Sequence, residues 1–322
     1  MRLLPAAVLL VTFASIAQAQ TTPEMVLNPW AQNTWGETFD KALYQNQGHL
    51  KDGSGDQAQI FWWDSVGRFR FSKTDDQAPV IAYRYLTVAT DSNSPALPDH
   101  LDKLSLAGGF HLGEFSGGQV MLVGGAGYSG DMPFNDANGL FGIGHLLWER
   151  EINDADSLVL SIDYNGGSAF LPDVPLPGFQ WVHRDERLSY GLGFPRSFVS
   201  WEIIDRLTLS ANYAVPYTGE AYLDYRLAKQ WSVFGNVANF FEAFQLNEQP
   251  DTVRLFQQMR RVEVGVRYRN DNIFAGLSLD AALAVGYAFG QSWFTGWDVR
   301  DLDETAEVSD EPYIALILRG TF

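Results

Sequence analysis

The chain has 322 residues, a formal net charge of −17, no cysteine, 30 glycines and 14% aromatic residues. This excess of acidic residues argues against nucleic acid as a partner, because phosphates are bound by clustered Lys and Arg. A chain of this length can bury a core without disulfide bonds. Its glycine and aromatic content favours a β-rich protein with many strands and turns.

The first residues, MRLLPAAVLLVTFASIAQAQ, have the layout of a secretory signal peptide. Arg2 precedes an apolar run from Leu3 to Ile16, and the small residues Ala17 and Ala19 form a cleavage site. The run is too short for a membrane helix, and no run of 18 apolar residues follows it. We therefore expect residues 1–19 to be cleaved from an exported protein.

The rest of the chain alternates apolar and polar residues with a period of two. In DSLVLSIDYNG, Leu158, Leu160 and Ile162 share one face, and Ser161 and Asp163 share the other. The same alternation is found in residues 206–215, 219–228, 258–269 and 311–322. Repetition of this pattern predicts an all-β protein with antiparallel strands.

The connections between these strands fall into two classes that largely alternate along the chain. The short, polar class comprises residues 114–118, 152–156, 203–206, 227–230 and 269–273. The longer class comprises residues 90–100, 128–139, 166–186, 244–258 and 291–311, with VPYTG (215–219) as a short exception. A transmembrane up-and-down β-barrel shows this asymmetry, with short periplasmic turns and long outer loops.

About twelve strands can be placed in a barrel domain over residues 79–322. They are 79–90, 101–113, 118–128, 139–150, 156–165, 188–203, 206–215, 219–228, 230–242, 258–269, 274–290 and 311–322. An even number puts both ends of the wall on the periplasmic side. Residues 20–78 are interpreted as a periplasmic lead-in or plug. A β pattern at 59–73 makes fourteen strands the alternative.

Charged residues on the polar faces of these strands are candidates for the lumen, because a charge facing lipid costs about 2–4 kcal/mol at the bilayer midplane. The lumen-facing candidates are Arg84, Asp163, Glu202, Asp224, Arg226, Glu263, Arg267 and Arg319. Their mixed signs fit two arrangements. They can pair across the interior and plug it, or line a wet channel and set its selectivity.

The sequence offers no catalytic residues, cofactor motif or metal site. GAGYSG (125–130) matches a dinucleotide-binding pattern, but an alternating strand follows where that site needs a helix. No two of the five histidines have the spacing of a helical metal site. In the acidic loop WDVRDLDETAEVSDE (297–311), Asp301 and Asp303 are spaced like the start of a calcium loop, but Ala306 occupies the position that requires glycine.

Residues 188–322 resemble a family of bacterial outer-membrane β-barrels whose function is unknown. The resemblance lies in GLGFP (191–195), YRLAKQW (225–231), RRVEVGVRY (260–268) and GYAFGQSWF (286–294). It implies an outer-membrane barrel in contact with outer-membrane lipid. It also implies that the terminal strand, ending in the aromatic anchor Phe322, is read by the barrel-assembly machinery. It implies no substrate.

These features together predict a protein of the outer membrane of a Gram-negative-type bacterium. The leading functional hypothesis is a passive pore or transporter for small solutes, without enzymatic activity. The alternative is a closed structural or surface-interaction barrel that acts through its outer loops. A third hypothesis, an outer-membrane enzyme acting on lipid, would need a clustered Ser/His/Asp constellation.

Overall fold

The computed structural model describes residues 30, 34–75, 77–135, 137–247, 249–250, 252–274 and 277–322, with only the backbone at Asn272 and Phe274. The predicted signal peptide, residues 1–19, lies outside the described residues. No helix in the described ranges is long and apolar enough to cross a bilayer.

The described chain forms a single β-sheet. Its strands are β1 (Gly36–Gln45), β2 (Gly48–His49), β3 (Gln57–Arg70), β4 (Val80–Ser92), β5 (His100–Phe115), β6 (Gly118–Gly130), β7 (Leu140–Glu151), β8 (Asp156–Asn165), β9 (Leu176–Arg184), β10 (Leu188–Phe194), β11 (Arg196–Ile204), β12 (Leu207–Ala214), β13 (Thr218–Arg226), β14 (Trp231–Gln245), β15 (Arg254–Phe274), β16 (Leu277–Gly296), β17 (Asp303–Val308) and β18 (Glu311–Thr321). Consecutive wall strands pair antiparallel, as the period-two pattern predicts.

The sheet closes on itself because β1 pairs with β3 on one side and with β18 on the other. The closing pair is long and in register, from Glu37 opposite Thr321 to Gln45 opposite Tyr313. The short β2 and β17 only extend the rim at the end opposite Gly36 and Phe322, where they pair with β3 and β16. Among the described residues, sixteen strands therefore make the wall of a closed antiparallel barrel.

The predicted count of about twelve strands, with fourteen as the alternative, is wrong. Pro195 divides the predicted strand 188–203 into the hairpin β10–β11, because proline cannot donate to the ladder. The predicted loop 166–186 contains β9. The segment 20–78, interpreted as a lead-in or plug, supplies the wall strands β1 and β3. These additions bring the wall to sixteen strands.

The two ends of the barrel have different connections. The lower end is the one at which Gly36 hydrogen-bonds to Phe322, and all five short connections predicted from the sequence lie there. Most upper connections are longer, but Pro195 alone joins β10 to β11, and 215–217 join β12 to β13. The strands of the wall also differ in length, from 7 residues in β10 to 21 in β15.

The outer surface of the barrel is apolar and carries aromatic side chains near both ends. Exposed aliphatic side chains such as Val264, Leu283 and Leu316 alternate with buried inward-facing residues. The exposed aromatic residues include Phe69, Phe115, Trp201 and Trp231 towards the lower end, and Tyr44, Tyr213, Tyr217 and Tyr287 towards the upper end. A closed sheet with this outer belt is the architecture of a membrane-spanning barrel.

The interior is divided into two unlike halves. The packed half comprises the inward side chains of β1, β3–β5 and β14–β18. In it, Trp62, Phe240, Phe244 and Met259 belong to one buried apolar cluster. The cavity half comprises the inward side chains of β7–β13, many of which are small. They include Ser157, Ser161, Gly178, Ser189, Gly191, Ser200 and Ser210.

Candidate functional site

The upper part of β14 crosses the mouth of the barrel to the far wall. Its last residue, Gln245, forms a parallel bridge to Gly130 at the end of β6. The Ser129 hydroxyl donates to the Ala243 carbonyl at 3.1 Å, and the backbone N–H of Asn247 donates to Asp131 at 2.7 Å. The end of β14 therefore acts as a partition that separates the two halves of the lumen.

Glu242 on this partition binds two cations that come from the opposite wall. Arg84 Nη1 on β4 lies 2.6 Å from Glu242 Oε1, and Lys103 Nζ on β5 lies 2.8 Å from Oε2. Arg84 also makes a two-point pair with Asp64 on β3, at 3.0 and 2.9 Å. Two cations and two carboxylates are thus balanced in one buried network, which avoids an uncompensated charge inside the barrel.

A cavity of about 130 Å³ lies beside this network, at the upper end of the cavity half. Its charged lining side chains are Arg84, Lys103, Asp163, Arg196 and Glu242. Its apolar lining side chains include Phe141, Ile143, Phe170, Leu171, Leu176 and Phe241. A concave site with a few charged groups on an apolar wall is the usual form of a small-molecule site.

The connection 166–175 between β8 and β9 folds inward over the cavity. Lys103 Nζ donates to the Gly167 carbonyl at 2.8 Å, and Arg254 Nη1 donates to the Ser168 carbonyl at 2.8 Å. Ala169 packs against the buried side chains of Phe241 and Phe256. Two cations and an apolar contact therefore hold this connection inside the mouth rather than out in solvent.

A second upper connection, 297–302, supports the first. The Val299 N–H donates to the Ala169 carbonyl at 3.2 Å, and Arg254 Nε donates to the Trp297 carbonyl at 2.9 Å. Arg300 Nε lies 2.9 Å from Asp298 Oδ1, and this hydrogen bond holds the pKa of Asp298 below its usual 3.8. The ionised carboxylate of Asp298 thus stabilises the fold of this connection.

The packed half holds a separate ionic cluster around Glu263 on β15. Lys41 Nζ on β1 lies 2.6 Å from Glu263 Oε1, and both side chains are almost fully buried. Glu263 also accepts from Asn236 Nδ2 at 2.8 Å and from the Tyr313 hydroxyl at 2.8 Å. These extra donors satisfy the buried carboxylate, as burial of an ion pair requires.

The lumen-facing candidates from the sequence lie in several different environments. Arg84, Glu263 and Arg267 are buried inside the wall, and Arg267 Nη1 lies 2.8 Å from Asp224 Oδ2. The other candidates are placed as follows: Asp163 beside His145, Glu202 half-buried on β11, and half-buried Arg319 over the Phe39 ring at 5.4 Å.

Arg226, the remaining candidate, is exposed at the lower end of β13, where its guanidinium donates to the Asp205 carbonyl. Phe322 lies at the same end, with its ring 5.8 Å from that of Phe69. Two of the eight candidate lumen residues, Asp224 and Arg267, form an ion pair with each other.

Sequence reasoning missed the partners that build the two buried ionic clusters, around Glu242 and around Glu263. Asp64 and Lys41 lie in the segment that was assigned to a lead-in, and Lys103 and Glu242 were not among the candidates. Alternation places Lys103 and Glu242 on inward faces, so a systematic search of those faces would have found them. Their pairing joins residues 139 positions apart, and a single sequence contains no signal for that contact.

Ser161, Asp163 and His145 form a cluster on β7 and β8. The Ser161 hydroxyl donates to Asp163 Oδ2 at 2.8 Å, and Asp163 Oδ1 contacts His145 Nδ1. The carboxylate stands between the other two groups, so Ser161 is not activated by the imidazole as a serine nucleophile must be. Gly178 permits the cluster, because a Cβ there would lie 2.2 Å from Ser161 Oγ.

No metal-binding group of three or more His, Cys, Asp or Glu side chains is found in the described parts of the chain.

Comparisons with known proteins give weak similarities to other barrels. No protein-family model matches the chain, and no curated protein matches it. Among solved structures, a deletion mutant of the TodX monoaromatic hydrocarbon channel has 10% identity and a TM-score of 0.44, with 95% of this chain and 93% of that chain covered.

Two further solved structures have similar scores. The outer membrane protein Omp33 of Acinetobacter baumannii has 10% identity and a TM-score of 0.38, with 90% of this chain and 98% of that chain covered. A FadL homologue of Pseudomonas aeruginosa has 12% identity and a TM-score of 0.40, with coverages of 89% and 88%. Similarity at this level assigns neither a substrate nor a function to this chain.

Proposed function

We propose that the chain is an outer-membrane channel through which small solutes pass passively, and that their path runs through the cavity half of the lumen. The observation that carries this proposal is the cavity above the small inward side chains of β7–β13, within a closed and apolar-belted wall. A barrel of this strand number encloses more space than side chains of that size fill. The mixed charges and apolar groups of the cavity suit small organic solutes.

A pair of substitutions on one strand tests the path. On β12, Ala214 lines the cavity, whereas Ala211 lies on the opposite, outward face. Ala214→Phe should lower single-channel conductance in planar bilayers by a large fraction, because the ring would fill part of the cavity. Ala211→Phe adds the same ring on the lipid side and should leave conductance at the wild-type level. Equal conductance in both variants would contradict the proposed path.

The location in the outer membrane and the route to it belong to the same proposal. Export by the predicted signal peptide would leave a mature chain that begins at Gln20, which sequencing of the purified protein can check. In this proposal the barrel lies in outer-membrane lipid and is inserted by the assembly machinery, with Phe322 as its anchor. Phe322→Ala should then reduce the yield of heat-modifiable, folded protein in the outer-membrane fraction, while export remains.

Membership of the uncharacterised outer-membrane barrel family, suggested by residues 188–322, is also part of the proposal. Support comes from the positions of the shared segments in the closed wall. RRVEVGVRY lies within β15, and GYAFGQSWF lies within β16. Family membership adds no substrate.

The alternative, a closed barrel without transport, is favoured by one observation. The end of β14 reaches β6, and Glu242 ties it to Arg84 and Lys103 across the mouth. A barrel that stays shut would give silent bilayers even when correctly folded, whereas a channel conducts or opens when this contact is weakened. Glu242→Gln weakens this contact and should therefore raise conductance in a channel and leave a closed barrel silent.

A further inference from the structure

The two cations at the partition already form a binding site for a carboxylate. Arg84 and Lys103 approach opposite oxygens of Glu242 at 2.6 and 2.8 Å, which is the geometry of charge-assisted hydrogen bonds. Both cations border the cavity, and each is more than nine-tenths buried. A carboxylate that enters the cavity therefore meets donors that water screens only weakly.

Both donors are fixed by contacts that do not involve Glu242. The two-point pair with Asp64 orients the Arg84 guanidinium, and the Gly167 carbonyl accepts a second bond from Lys103. The donors therefore keep their positions when Glu242 is replaced by another carboxylate. Such preorganisation lowers the entropic cost of binding.

Glu242 itself is the exchangeable partner, because it is supplied by the partition and also lines the cavity. A solute carboxylate that takes its place keeps the same number of negative charges on Arg84 and Lys103. The Glu242 side chain can then turn into the cavity, whose polar wall includes Asn165 and Thr218. The charge at these two cations is therefore unchanged, and the displaced Glu242 carboxylate lies in a cavity that a third cation, Arg196, also lines.

The rest of the cavity wall suits an apolar body attached to that carboxylate. Phe141 borders the site directly, with its ring centroid 5.8 Å from Lys103 Nζ. Phe170, Leu171 and Leu176 line the same cavity. A volume of about 130 Å³ is large enough for a single small ring or a short branched chain.

We propose that this cavity is a binding site for small monocarboxylates with an apolar body, whose carboxylate displaces Glu242 from Arg84 and Lys103. The inference rests on the proposed function, since it names the solute class of the proposed channel. It also assigns specificity to two cations that the sequence does not group together.

Calorimetric titration of the folded, detergent-solubilised protein tests the site, with benzoate as the probe and benzamide as its neutral isostere. The wild-type protein should bind benzoate and show no measurable heat with benzamide. Glu242→Gln removes the internal competitor and should tighten benzoate binding by about tenfold. Lys103→Met removes one donor and should weaken binding by about tenfold or more.

Glu37→Gln is the matched control, because Glu37 also receives two hydrogen bonds from an arginine, Arg68, but does not line the cavity. It should bind benzoate like the wild type. Heat-modifiable migration on gels shows whether each variant is folded. If Lys103→Met does not fold, Phe141→Ala is a second variant that should weaken benzoate binding. Equal binding of benzoate and benzamide, or unchanged affinity in Glu242→Gln, would overturn the inference.

The binding assay does not need transport, so the two proposals fail separately. Conduction of ions without benzoate binding would contradict the proposed solute site but not the proposed channel. Benzoate binding as predicted, in a protein that is silent in bilayers, would contradict the proposed channel but not the solute site.

Discussion

The two halves of the lumen share one sheet but differ in the size of the side chains that face inward. In the packed half, Trp62 and Phe240 meet edge to face, with their ring centroids 5.4 Å apart, and both are buried. In the cavity half, serine and glycine occupy corresponding inward positions, such as Ser161 and Gly178 on neighbouring strands. The wall geometry alone does not decide whether a barrel is open, because inward side chains fill or spare the space.

The two halves also use charge differently. Glu263 in the packed half is saturated by Lys41, Asn236 and Tyr313, all of them buried in the core. Glu242 at the cavity is held by two cations that a solute can reach. Similar buried pairs can therefore serve as a structural tie in one place and as an exchangeable binding site in the other.

The largest expected effect on stability comes from the loss of one large aromatic side chain in the packed half. Trp62→Ala should lower the free energy of unfolding by about 3–5 kcal/mol, because it leaves a large cavity among fully buried neighbours. Urea unfolding in detergent micelles measures the change. Phe198→Ala is the comparison. Phe198 lies in the cavity half and is only half-buried, so its loss should lower the free energy of unfolding by less than half as much. Equal losses would mean that the two halves are packed alike.

Removal of the buried acid in the packed half should have a comparable or slightly smaller effect. Glu263→Ala leaves Lys41 buried without its carboxylate, a type of change that costs about 3–5 kcal/mol. The same unfolding experiment measures it. The double variant Lys41→Met/Glu263→Ala should recover part of the loss, because the buried Lys41 charge is then removed together with its partner. No recovery would argue against the ion pair as the cause.

A bulky residue at Gly178 should disturb the cavity half. Its Cβ would lie 2.2 Å from Ser161 Oγ and 3.0 Å from Asp163 Oδ2, so Gly178→Val must displace this hydrogen-bonded pair. We expect a loss of about 1–3 kcal/mol in the free energy of unfolding, together with lower conductance. Ser161→Gly in the Gly178→Val background should restore part of both, and its failure to do so would argue against this clash.

The smallest effect concerns pH at the upper mouth. Because the folded pKa of Asp298 lies below its usual 3.8, its stabilising contribution is present above that pH and is lost as the pH falls through the lower, folded value. Hydrogen-exchange protection factors at Val299 and Trp297, taken relative to the intrinsic exchange rate at each pH, should therefore fall at acid pH. In Asp298→Asn these protection factors should be lower already at neutral pH and should change less on acidification.

The sequence predicted the architecture better than the number of strands. Strands with clean alternation, such as 156–165 and 206–215, were found near their observed positions because one face meets lipid. The hairpin at Pro195 was overlooked because apolar residues continue on both sides of it. β1 was overlooked because its inward face carries Lys41, so the strand contains fewer apolar residues.

The candidate site was less predictable than the fold. Alternation indicated that Arg84 faces inward, but the three groups that surround it come from β3, β5 and β14. Contacts between Arg84 and Glu242 join residues 158 positions apart across the lumen. Such contacts depend on which strands face each other across the lumen of the closed barrel, and local sequence patterns contain no information about that.

The central claim is that solutes pass the cavity half and not the packed half. The chain has no cysteine, so single cysteines can be introduced without a background reaction. Ala214→Cys places a thiol on the cavity, and Ala82→Cys places one on the inward face of the packed half. A charged, water-soluble methanethiosulfonate reagent added during bilayer recording should reduce the current of Ala214→Cys and leave that of Ala82→Cys unchanged. A conducting protein whose current falls in Ala82→Cys but not in Ala214→Cys would contradict the account.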